Sequence, residues 1–286
     1  MKLVLGTAQF GMKYGVANKS GHVCALEISE ILRTAQLAGM NTIDTAISYG
    51  NSEKSLGAQG MSGWNVITKL PEIPNVDNPY NWISRQLNTS CANLGLKKIY
   101  GLLLHRPMQL SGNRGSHIWT SLLKLKEEKK VQKIGISIYS VNELNYFQNM
   151  EVDIIQIPIN IIDRSFERSG LASGLKMRGI EIHARSIFLQ GLLLMDPAAI
   201  PPYFKRWNHI FKIYDTWIKS NKITRLEGAL GYVNSLPFVD CIVVGVDSKR
   251  HLEDIINSSL NMNDDFPNFP ESDLSLLVNP SKWDLI

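Results

Sequence analysis

The sequence predicts an α/β fold, specifically a single-domain (β/α)8 barrel (TIM barrel), and two observations support this prediction. Eight short apolar runs are spread along the 286 residues, and most of them are continuous rather than alternating. Continuous runs are typical of strands that are buried on both faces of a parallel sheet. Helical patterns separate the runs, and an eightfold alternation of strand and helix indicates this barrel.

A doubly wound sheet is the alternative fold. Such a sheet usually has a G-x-G-x-x-G turn after its first strand, because the glycines let the backbone approach a bound pyrophosphate. The corresponding stretch here, GTAQFGMKYG at residues 6–15, does not match this pattern. The barrel is therefore the predicted fold.

Each apolar run is predicted to be one strand, because each is six to nine residues long and is rich in branched aliphatic side chains. The predicted strands are residues 2–8, 41–46, 65–70, 99–105, 133–139, 152–160, 180–187 and 240–246.

The first half of the chain contains three clear helical patterns. Apolar residues recur at helical spacing over 28–38, and Gly39 follows as a stop. Asn78 and Pro79 begin a second helix whose apolar residues share one face. Residues 118–123 mark a third, and the stretch after the second strand also ends like the start of a helix.

The second half continues the alternation. The sequence SVNE at 140–143 predicts a capping box at the start of a helix, and a weaker helix is predicted around 166–175. Two helices are expected within 203–220 and 224–235, and the last begins within 247–256.

The domain prediction is one barrel that comprises residues 1–286. No stretch has the composition of an interdomain linker. The tail from about residue 263 is rich in proline and aspartate, so we expect it to be loop-like and to lie over one end of the barrel.

Composition and charge argue against several classes of partner. The net charge of +4 is small and evenly spread, so we expect no nucleic-acid partner. No apolar stretch approaches the ~18 residues of a membrane span, and the amino-terminal run is too short for a signal peptide. Cys24, Cys91 and Cys241 are far apart, which predicts free thiols, no metal site and a cytoplasmic location. The sequence indicates no particular oligomeric state.

Polar residues gather at the carboxyl ends of the predicted strands, where the active sites of (β/α)8 barrels lie. Asp44, Lys69 and His105 end strands two, three and four, and Tyr49 follows in the loop after strand two. The later strands contribute further polar residues at the same end, namely Ser137, Gln156, Asn160, Arg185 and Ser186.

Each candidate has a structural explanation when it is taken alone. Asp44 could cap a turn, Lys69 could extend to solvent, and His105 could be a hydrogen-bonded core histidine. Several ionisable groups at one mouth are costly to desolvate unless they have a use, so the combination predicts a functional site.

The chemistry of this set indicates proton donation. A lysine beside a phenol is expected to lower the phenol pKa, and a carboxylate keeps that lysine charged. Tyr49 could then protonate an oxyanion that forms during carbonyl reduction, while His105 donates a hydrogen bond to the carbonyl oxygen. No Ser or Cys nucleophile pairs with His105, and one histidine with one acid makes a poor metal site.

Short motifs along nearly the whole chain resemble those of the aldo-keto reductase family, of the bacterial, NADPH-dependent type. The most specific is IDTAISYGNSE, which resembles the family signature D-T-A-x-x-Y-G-x-S-E. The others are LGTAQFG, VITK, LLLHRP, KKVQKIGIS, IIQIPINIIDR, ARSIFLQGLL and IVVGVDSKRHLEDI, and their order and spacing match the family.

The resemblance implies a tetrad of Asp44, Tyr49, Lys69 and His105 in which Tyr49 is the acid. It implies NADPH as the cofactor, with NADH as the alternative, and a small carbonyl substrate of a sugar-like kind. The cofactor-binding residues that it implies are Ser137 and Gln156 at the carboxamide, Gly245 and Val246 at the adenosine end, Lys249 and Arg250 near the 2′-phosphate, and Gly6, Thr7, Arg185, Ser186 and Gly191.

Two residues depart from the family pattern. Ile138 stands where the family often has asparagine, and Arg185 stands where an aromatic residue usually stacks on the nicotinamide. Arg185 could itself stack on the ring, pair with the cofactor pyrophosphate or a nearby acid, or bind an anionic group of the substrate.

Two other functions are considered. A reductase-like barrel could bind NADPH and regulate a partner with little turnover. A barrel isomerase or aldolase could use Lys69 to form a Schiff base with its substrate.

Overall fold

The structure is a computed structural model that describes residues 2–19, 21–147, 150–258, 265–270 and 274–283. Eight parallel strands follow one another around a closed barrel, and the last pairs with the first. The predicted (β/α)8 barrel is therefore confirmed. The strands are β1 Lys2–Gly6, β2 Thr42–Asp44, β3 Asn65–Leu70, β4 Ile99–Leu104, β5 Val131–Ser137, β6 Ile154–Pro158, β7 Glu181–Arg185 and β8 Cys241–Gly245.

Most strands are shorter than predicted, because residues after their carboxyl ends turn into the loops of the mouth. Strand β2 is the clearest case, since it ends at Asp44 and the predicted strand continued to residue 46. Strand β5 differs at both ends, because it begins at Val131 and ends at Ser137.

Helices connect the strands. They are α1 Ala25–Leu37, α2 Ser52–Gln59, α3 Pro79–Leu94, α4 Gly115–Glu127, α5 Val141–Asn145, α6 Ser165–Ser169, α7 Leu171–Met177, α8 Asn208–Asn221, α9 Arg225–Ser235, α10 Lys249–Asn257 and α11 Leu274–Leu277. Among the described residues, none of these helices is long and apolar enough to cross a membrane.

Three helix predictions need correction or refinement. The single weak helix around 166–175 is two helices, because Gly170 adopts a positive φ of 68° and ends α6. The helix expected from residue 203 begins as a 3-10 helix, Pro202–Trp207, before α8. At SVNE, Ser140 caps α5, but the carboxylate of Glu143 accepts the backbone N–H of Tyr139 instead of closing the box.

Apolar packing divides into two clusters. The larger one lies between the strands and the helices, as expected when helices cover a parallel sheet. The smaller one, Ile67, Leu103 and Ile154, consists of fully buried residues on three strands. These side chains share their strand faces with Lys69 and Gln156, which lie two residues nearer the carboxyl ends. The barrel interior is therefore apolar in its middle and polar towards the mouth.

The described part of the tail packs on the barrel wall. Phe266 contacts the rings of Trp217 on α8 and Tyr232 on α9, and the guanidinium of Arg164 donates to the carbonyl of Pro267. The tail also contains the short helix α11, which we did not predict. The single-domain boundary 1–286 stays a prediction.

Candidate active site

A cavity of about 970 Å³ lies at the carboxyl ends of the strands. Asp44, Tyr49, Lys69 and His105 all line it, so the folded chain brings together the four residues of the predicted tetrad. A volume near 1,000 Å³ is at the upper end of the range for small-molecule sites.

Asp44 and Lys69 form a buried ion pair beneath this cavity. The Nζ of Lys69 lies 2.6 Å from Oδ1 of Asp44 and 2.9 Å from the carbonyl oxygen of Thr45, to which it also donates. Lys69 is 1% exposed and Asp44 is 4% exposed. The amide of Gln156 donates to the other carboxylate oxygen of Asp44. Burial lowers the pKa of Lys69, and Asp44 opposes that effect. The ion pair is thus held by several hydrogen bonds and largely shielded from solvent.

Tyr49 is positioned by the loop between β2 and α2. Its backbone N–H donates to Ala46, and its carbonyl accepts the N–H of Ser52. Gly11 allows this arrangement, because a Cβ at that position would collide with the carbonyl oxygen of Tyr49. The ring centroid of Tyr49 lies 5.2 Å from Nζ of Lys69.

The end of the signature motif holds that loop in place. The hydroxyl of Ser52 donates to the carbonyl oxygen of Thr7 at 2.8 Å and is buried. Glu53 is also buried, and its Oε1 accepts the hydroxyl of Thr68 at 2.7 Å. Both side chains connect α2 to neighbouring strands, so their role in this structure is to support the residues of the cavity.

His105 faces Tyr49 across the cavity. The two rings meet edge to face with centroids 5.8 Å apart. Nδ1 of His105 lies 3.0 Å from Oγ of Ser48, and in the tautomer that carries its proton on Nε2 the ring accepts this hydroxyl. Burial, helped by the charges of Lys69 and Arg185, lowers the pKa of His105 to about 3. The imidazole is therefore neutral at physiological pH and can act as a hydrogen-bond donor.

The pKa of Tyr49 is shifted in the direction opposite to the one predicted from the sequence. A neighbouring lysine was expected to lower it, but burial raises the pKa of this phenol, and the charge of Asp44 raises it further. Arg185 lowers it and does not overcome burial. Tyr49 therefore holds its proton throughout the physiological pH range.

Comparison with known proteins identifies the family of the chain. The sequence profile of the Aldo/keto reductase family matches residues 2–267. The chain belongs to the aldo/keto reductase family.

One relative, the uncharacterized oxidoreductase YtbE of Bacillus subtilis, is 26% identical over 180 residues, which are 60% of this chain and 62% of YtbE. An aldo-keto reductase of Mycolicibacterium vanbaalenii is 30% identical over 132 residues, 44% of this chain and 45% of that protein. The chain thus matches less than two thirds of the length of these two relatives. The structure of aldo-keto reductase AKR11C1 from Bacillus halodurans resembles the fold with a TM-score of 0.74 at 16% identity, over 91% of this chain and 88% of that one.

Most residues that the family resemblance assigns to the cofactor line the same cavity. They are Gly6, Thr7, Ser137, Arg185, Ser186, Gly191, Gly245 and Val246. Gly191 also has a backbone reason to be glycine, since its φ is +87° and a Cβ would approach that of Ala17.

Three assigned residues are not among those that line the cavity. Gln156 is fully buried and binds Asp44, as described above. Lys249 turns towards α1, where its Nζ lies 3.3 Å from the carboxylate of Glu30. Arg250 is exposed next to it.

The turn before α10 and its first residues instead contribute Asp247, His251 and Asp254 to the cavity. The carboxylate of Asp247 also contacts Nδ1 of His251. These three residues were not predicted from the sequence. His251 and Asp254 are three residues apart on α10, whereas Asp247 precedes the helix. This part of the cavity is lined by two carboxylates, whereas two cations were expected.

The residues present fit a nicotinamide. Ser137 lines the cavity, and its strand neighbour in register is Gln156, whose Oε1 is buried without a hydrogen-bond partner among the described residues. A hydroxyl beside an unpaired acceptor matches the donor and acceptor groups of a primary carboxamide. Asn160, in contrast, supports the loop after β6, because its Oδ1 accepts the N–H groups of Ile162 and Asp163.

A group of possible metal ligands lies at the opposite end of the barrel. Glu181, His183 and Cys241 have ligand atoms within 4.8 Å of one another, at the starts of β7 and β8. Glu181 already forms an ion pair with Lys133 and a 2.8 Å contact with Nε2 of His183. These contacts account for the cluster as a polar network at the amino-terminal ends of the strands, away from the cavity.

Proposed function

We propose that this aldo/keto reductase reduces an aldehyde or ketone to an alcohol with a nicotinamide dinucleotide as the hydride donor. The observation that carries this proposal is the arrangement of Tyr49 and His105 on one cavity, with the Asp44–Lys69 ion pair beneath them. It provides a proton donor and a neutral hydrogen-bond donor for one carbonyl oxygen.

The residues have separate tasks in this proposal. A bound reduced nicotinamide supplies the hydride. His105 donates a hydrogen bond from Nε2 to the carbonyl oxygen and so orients it. Tyr49 gives its proton to that oxygen as negative charge develops there. The ammonium of Lys69, 5.2 Å from the Tyr49 ring, stabilises the phenolate that remains.

The high pKa of Tyr49 is consistent with this direction of proton transfer. A phenol that burial keeps protonated is a full proton donor at neutral pH. Proton transfer from Tyr49 becomes favourable only as a strongly basic oxygen develops on the substrate beside it, and not before.

Ser137 would hold the carboxamide of the nicotinamide, and Gly245 and Val246 would line the adenosine end. Gln156 is buried outside the cavity lining, so its contact with the carboxamide stays a prediction. The preference for NADPH was predicted from Lys249 and Arg250, and the positions of their side chains do not support it. Asp247 and Asp254 line this part of the cavity instead, and carboxylates oppose a 2′-phosphate. We therefore propose that NADH serves at least as well as NADPH. A sugar-like substrate stays a prediction.

The test is the Tyr49→Phe variant, assayed with NADH and NADPH on a panel of aldehydes and ketones. Loss of the general acid is expected to lower turnover about 10²- to 10⁴-fold, because the alkoxide then lacks its proton donor. Cofactor affinity, measured by fluorescence titration, is expected to stay within about twofold of the wild type. Tyr146→Phe is the matched control, since Tyr146 is 63% exposed and does not line the cavity.

Turnover in Tyr49→Phe equal to that in Tyr146→Phe would contradict the proposal. A wild-type chain that binds the cofactor but reduces no carbonyl would favour the regulatory module. Trapping of a substrate on Lys69 by borohydride would favour the isomerase or aldolase. Lys69 is poorly placed for that chemistry, because its Nζ is buried and donates to Asp44 and Thr45.

A further inference from the structure

Arg185 is a charged residue of the cavity that has no role in the proposed reaction. It ends β7, and its guanidinium carbon lies 4.4 Å from the centroid of the Tyr139 ring. One terminal nitrogen donates to the carbonyl oxygen of Ile138 at 2.8 Å, and the other donates to Oγ of Ser186 at 3.2 Å. A guanidinium has five N–H donors, so these two bonds leave three without use.

Asp163 lies near enough to Arg185 for their charges to interact, but among the described residues Arg185 has no counterion in direct contact. No carboxylate of the described residues forms an ion pair with it, and its Nε is buried without a hydrogen-bond partner in that part of the chain. Arg225, which also lines the cavity, shows the usual arrangement, since it forms an ion pair with Asp215. A partly buried cation that pairs with no acid is costly to desolvate, which suggests that its partner is a ligand.

A second cation lies on the same aromatic ring. The guanidinium carbon of Arg106 is 5.2 Å from the centroid of Tyr139, and Arg106 lines the cavity next to His105. Asp44 does not offset these charges, because Lys69 already neutralises it. The end of the cavity that contains the tetrad therefore carries an excess of positive charge from two arginines.

These contacts narrow the roles that the sequence left open for Arg185. Pairing with a nearby acid is not observed among the described residues. Tyr139 covers one face of the guanidinium, and stacking of a nicotinamide on the other face would not neutralise the charge, so stacking does not supply the missing counterion. The remaining partners are an anion of the substrate and the pyrophosphate of the cofactor. The position of Arg106, directly after His105, favours the substrate, because His105 is the residue proposed to hold its carbonyl oxygen.

We propose that Arg185, assisted by Arg106, binds a carboxylate or phosphate group of the carbonyl substrate. The substrates would then be oxo acids, or aldehydes that carry an acidic group, rather than neutral sugars or simple aldehydes. A planar guanidinium with free N–H groups binds either anion in a bidentate manner. This inference rests on the proposed reductase activity, and the test below separates the two.

The test compares two aldehydes of equal size, 4-formylbenzoate and 4-formylbenzamide, which differ in charge. The wild type is expected to prefer the benzoate about 10- to 100-fold in kcat/KM, as a hydrogen bond to a charged group implies. Arg185→Gln is expected to reduce this ratio towards one, and Arg185→Lys to retain part of it. Arg206→Gln is the matched control, because Arg206 packs on Trp207 and does not line the cavity; it should keep the wild-type ratio.

Binding provides a second measurement that does not depend on turnover. Titration calorimetry with the alcohol product, 4-(hydroxymethyl)benzoate, is expected to show about 10-fold weaker binding to Arg185→Gln than to the wild type, both saturated with oxidised cofactor. A substrate ratio near one in the wild type, or a ratio that Arg185→Gln leaves unchanged, would overturn the inference. If Arg185→Gln weakens the cofactor and leaves the ratio unchanged, the anion is the pyrophosphate and the inference is wrong.

Failure of the reductase proposal would look different. If neither aldehyde is reduced with either cofactor, the proposed function fails. The anion subsite is then judged from the calorimetry alone, where equal product affinity in both proteins overturns it.

Discussion

Asp44→Asn is expected to destabilise the fold by about 3–5 kcal/mol at pH 7. Lys69 would keep a buried ammonium whose counterion has been removed, and breaking a buried pair from one side typically costs this much. At the observed 2.6 Å and an effective dielectric constant of about 20, the lost attraction is about 6 kcal/mol, of which relaxation recovers part. Asparagine preserves the size of the side chain but replaces one acceptor oxygen by an NH2 group, so the loss combines the charge with one hydrogen bond.

The loss is expected to depend on pH in a defined direction. Burial lowers the pKa of Lys69 and Asp44 raises it, so the pKa falls further when Asp44 is replaced. When the pKa of a lysine is lower in the folded chain than in the unfolded chain, the charged lysine destabilises the fold. This penalty is complete at pH values below the folded-state pKa. The penalty then fades as pH rises towards its ordinary value of 10.5. The deficit of Asp44→Asn relative to the wild type should therefore shrink between pH 7 and pH 10.

Urea unfolding followed by the fluorescence of the six tryptophans measures both effects. The double variant Asp44→Asn/Lys69→Met is the control, because it has no buried charge at this place and should recover most of the lost stability. A deficit below about 1 kcal/mol at pH 7 would refute the reasoning. An equal deficit at both pH values would also refute it, since the cost would then come from packing and not from the ammonium.

Two further outcomes follow from the charges in the cavity. The pKa of His105 is about 3, so kcat/KM should show no change from imidazole titration between pH 5 and 8. A tenfold change in kcat/KM that is centred near pH 6.5 and disappears in His105→Gln would contradict this. Replacing both Lys249 and Arg250 by alanine should change NADPH affinity less than about twofold. The double variant Asp247→Asn/Asp254→Asn should strengthen NADPH binding about two- to fivefold and leave NADH binding nearly unchanged. Fluorescence titration of both cofactors measures this, and a large loss of NADPH affinity in the alanine variant would restore the original assignment.

The fold and the tetrad could be predicted because they depend on local patterns. Each strand is a continuous apolar run, and Asp44, Lys69 and His105 lie at the ends of such runs. In a closed parallel barrel all carboxyl ends meet at one mouth, so strand order alone brings these residues together. Helix boundaries were less accurate where one glycine decides them, as Gly170 does between α6 and α7.

The direction of side chains at the last helix could not be predicted from composition. Lys249 and Arg250 were assigned to a phosphate because they are basic residues near a helix start. Glu30 lies on α1, more than two hundred residues earlier in the chain, and its contact with Lys249 depends on how α1 packs against α10. His251 and Asp254 are three residues apart on α10 and so share a face, but this spacing alone does not indicate that the face meets the cavity.

The pKa of Tyr49 was predicted with the wrong sign for a related reason. The sequence shows Lys69 as a neighbour of Tyr49 but not how deeply the phenol lies. Desolvation, the largest effect on the pKa of Tyr49, depends on all of the chain that surrounds the group. Charge partners can be proposed from spacing, whereas burial has to be taken from the folded structure.

The two ends of the cavity differ in charge, and this difference bears on how a substrate would be oriented. Arg185 and Arg106 lie beside the tetrad, while Asp247 and Asp254 line the part near Gly245. An anionic substrate that entered with its acid group towards the two aspartates would meet like charge. The opposite orientation brings the acid group to Arg185 and leaves the carbonyl beside Tyr49 and His105. The two arginines that would select for an acidic substrate would thus also orient its carbonyl for reduction. For this reason Arg185→Gln is expected to lower kcat/KM for 4-formylbenzoate more than for 4-formylbenzamide.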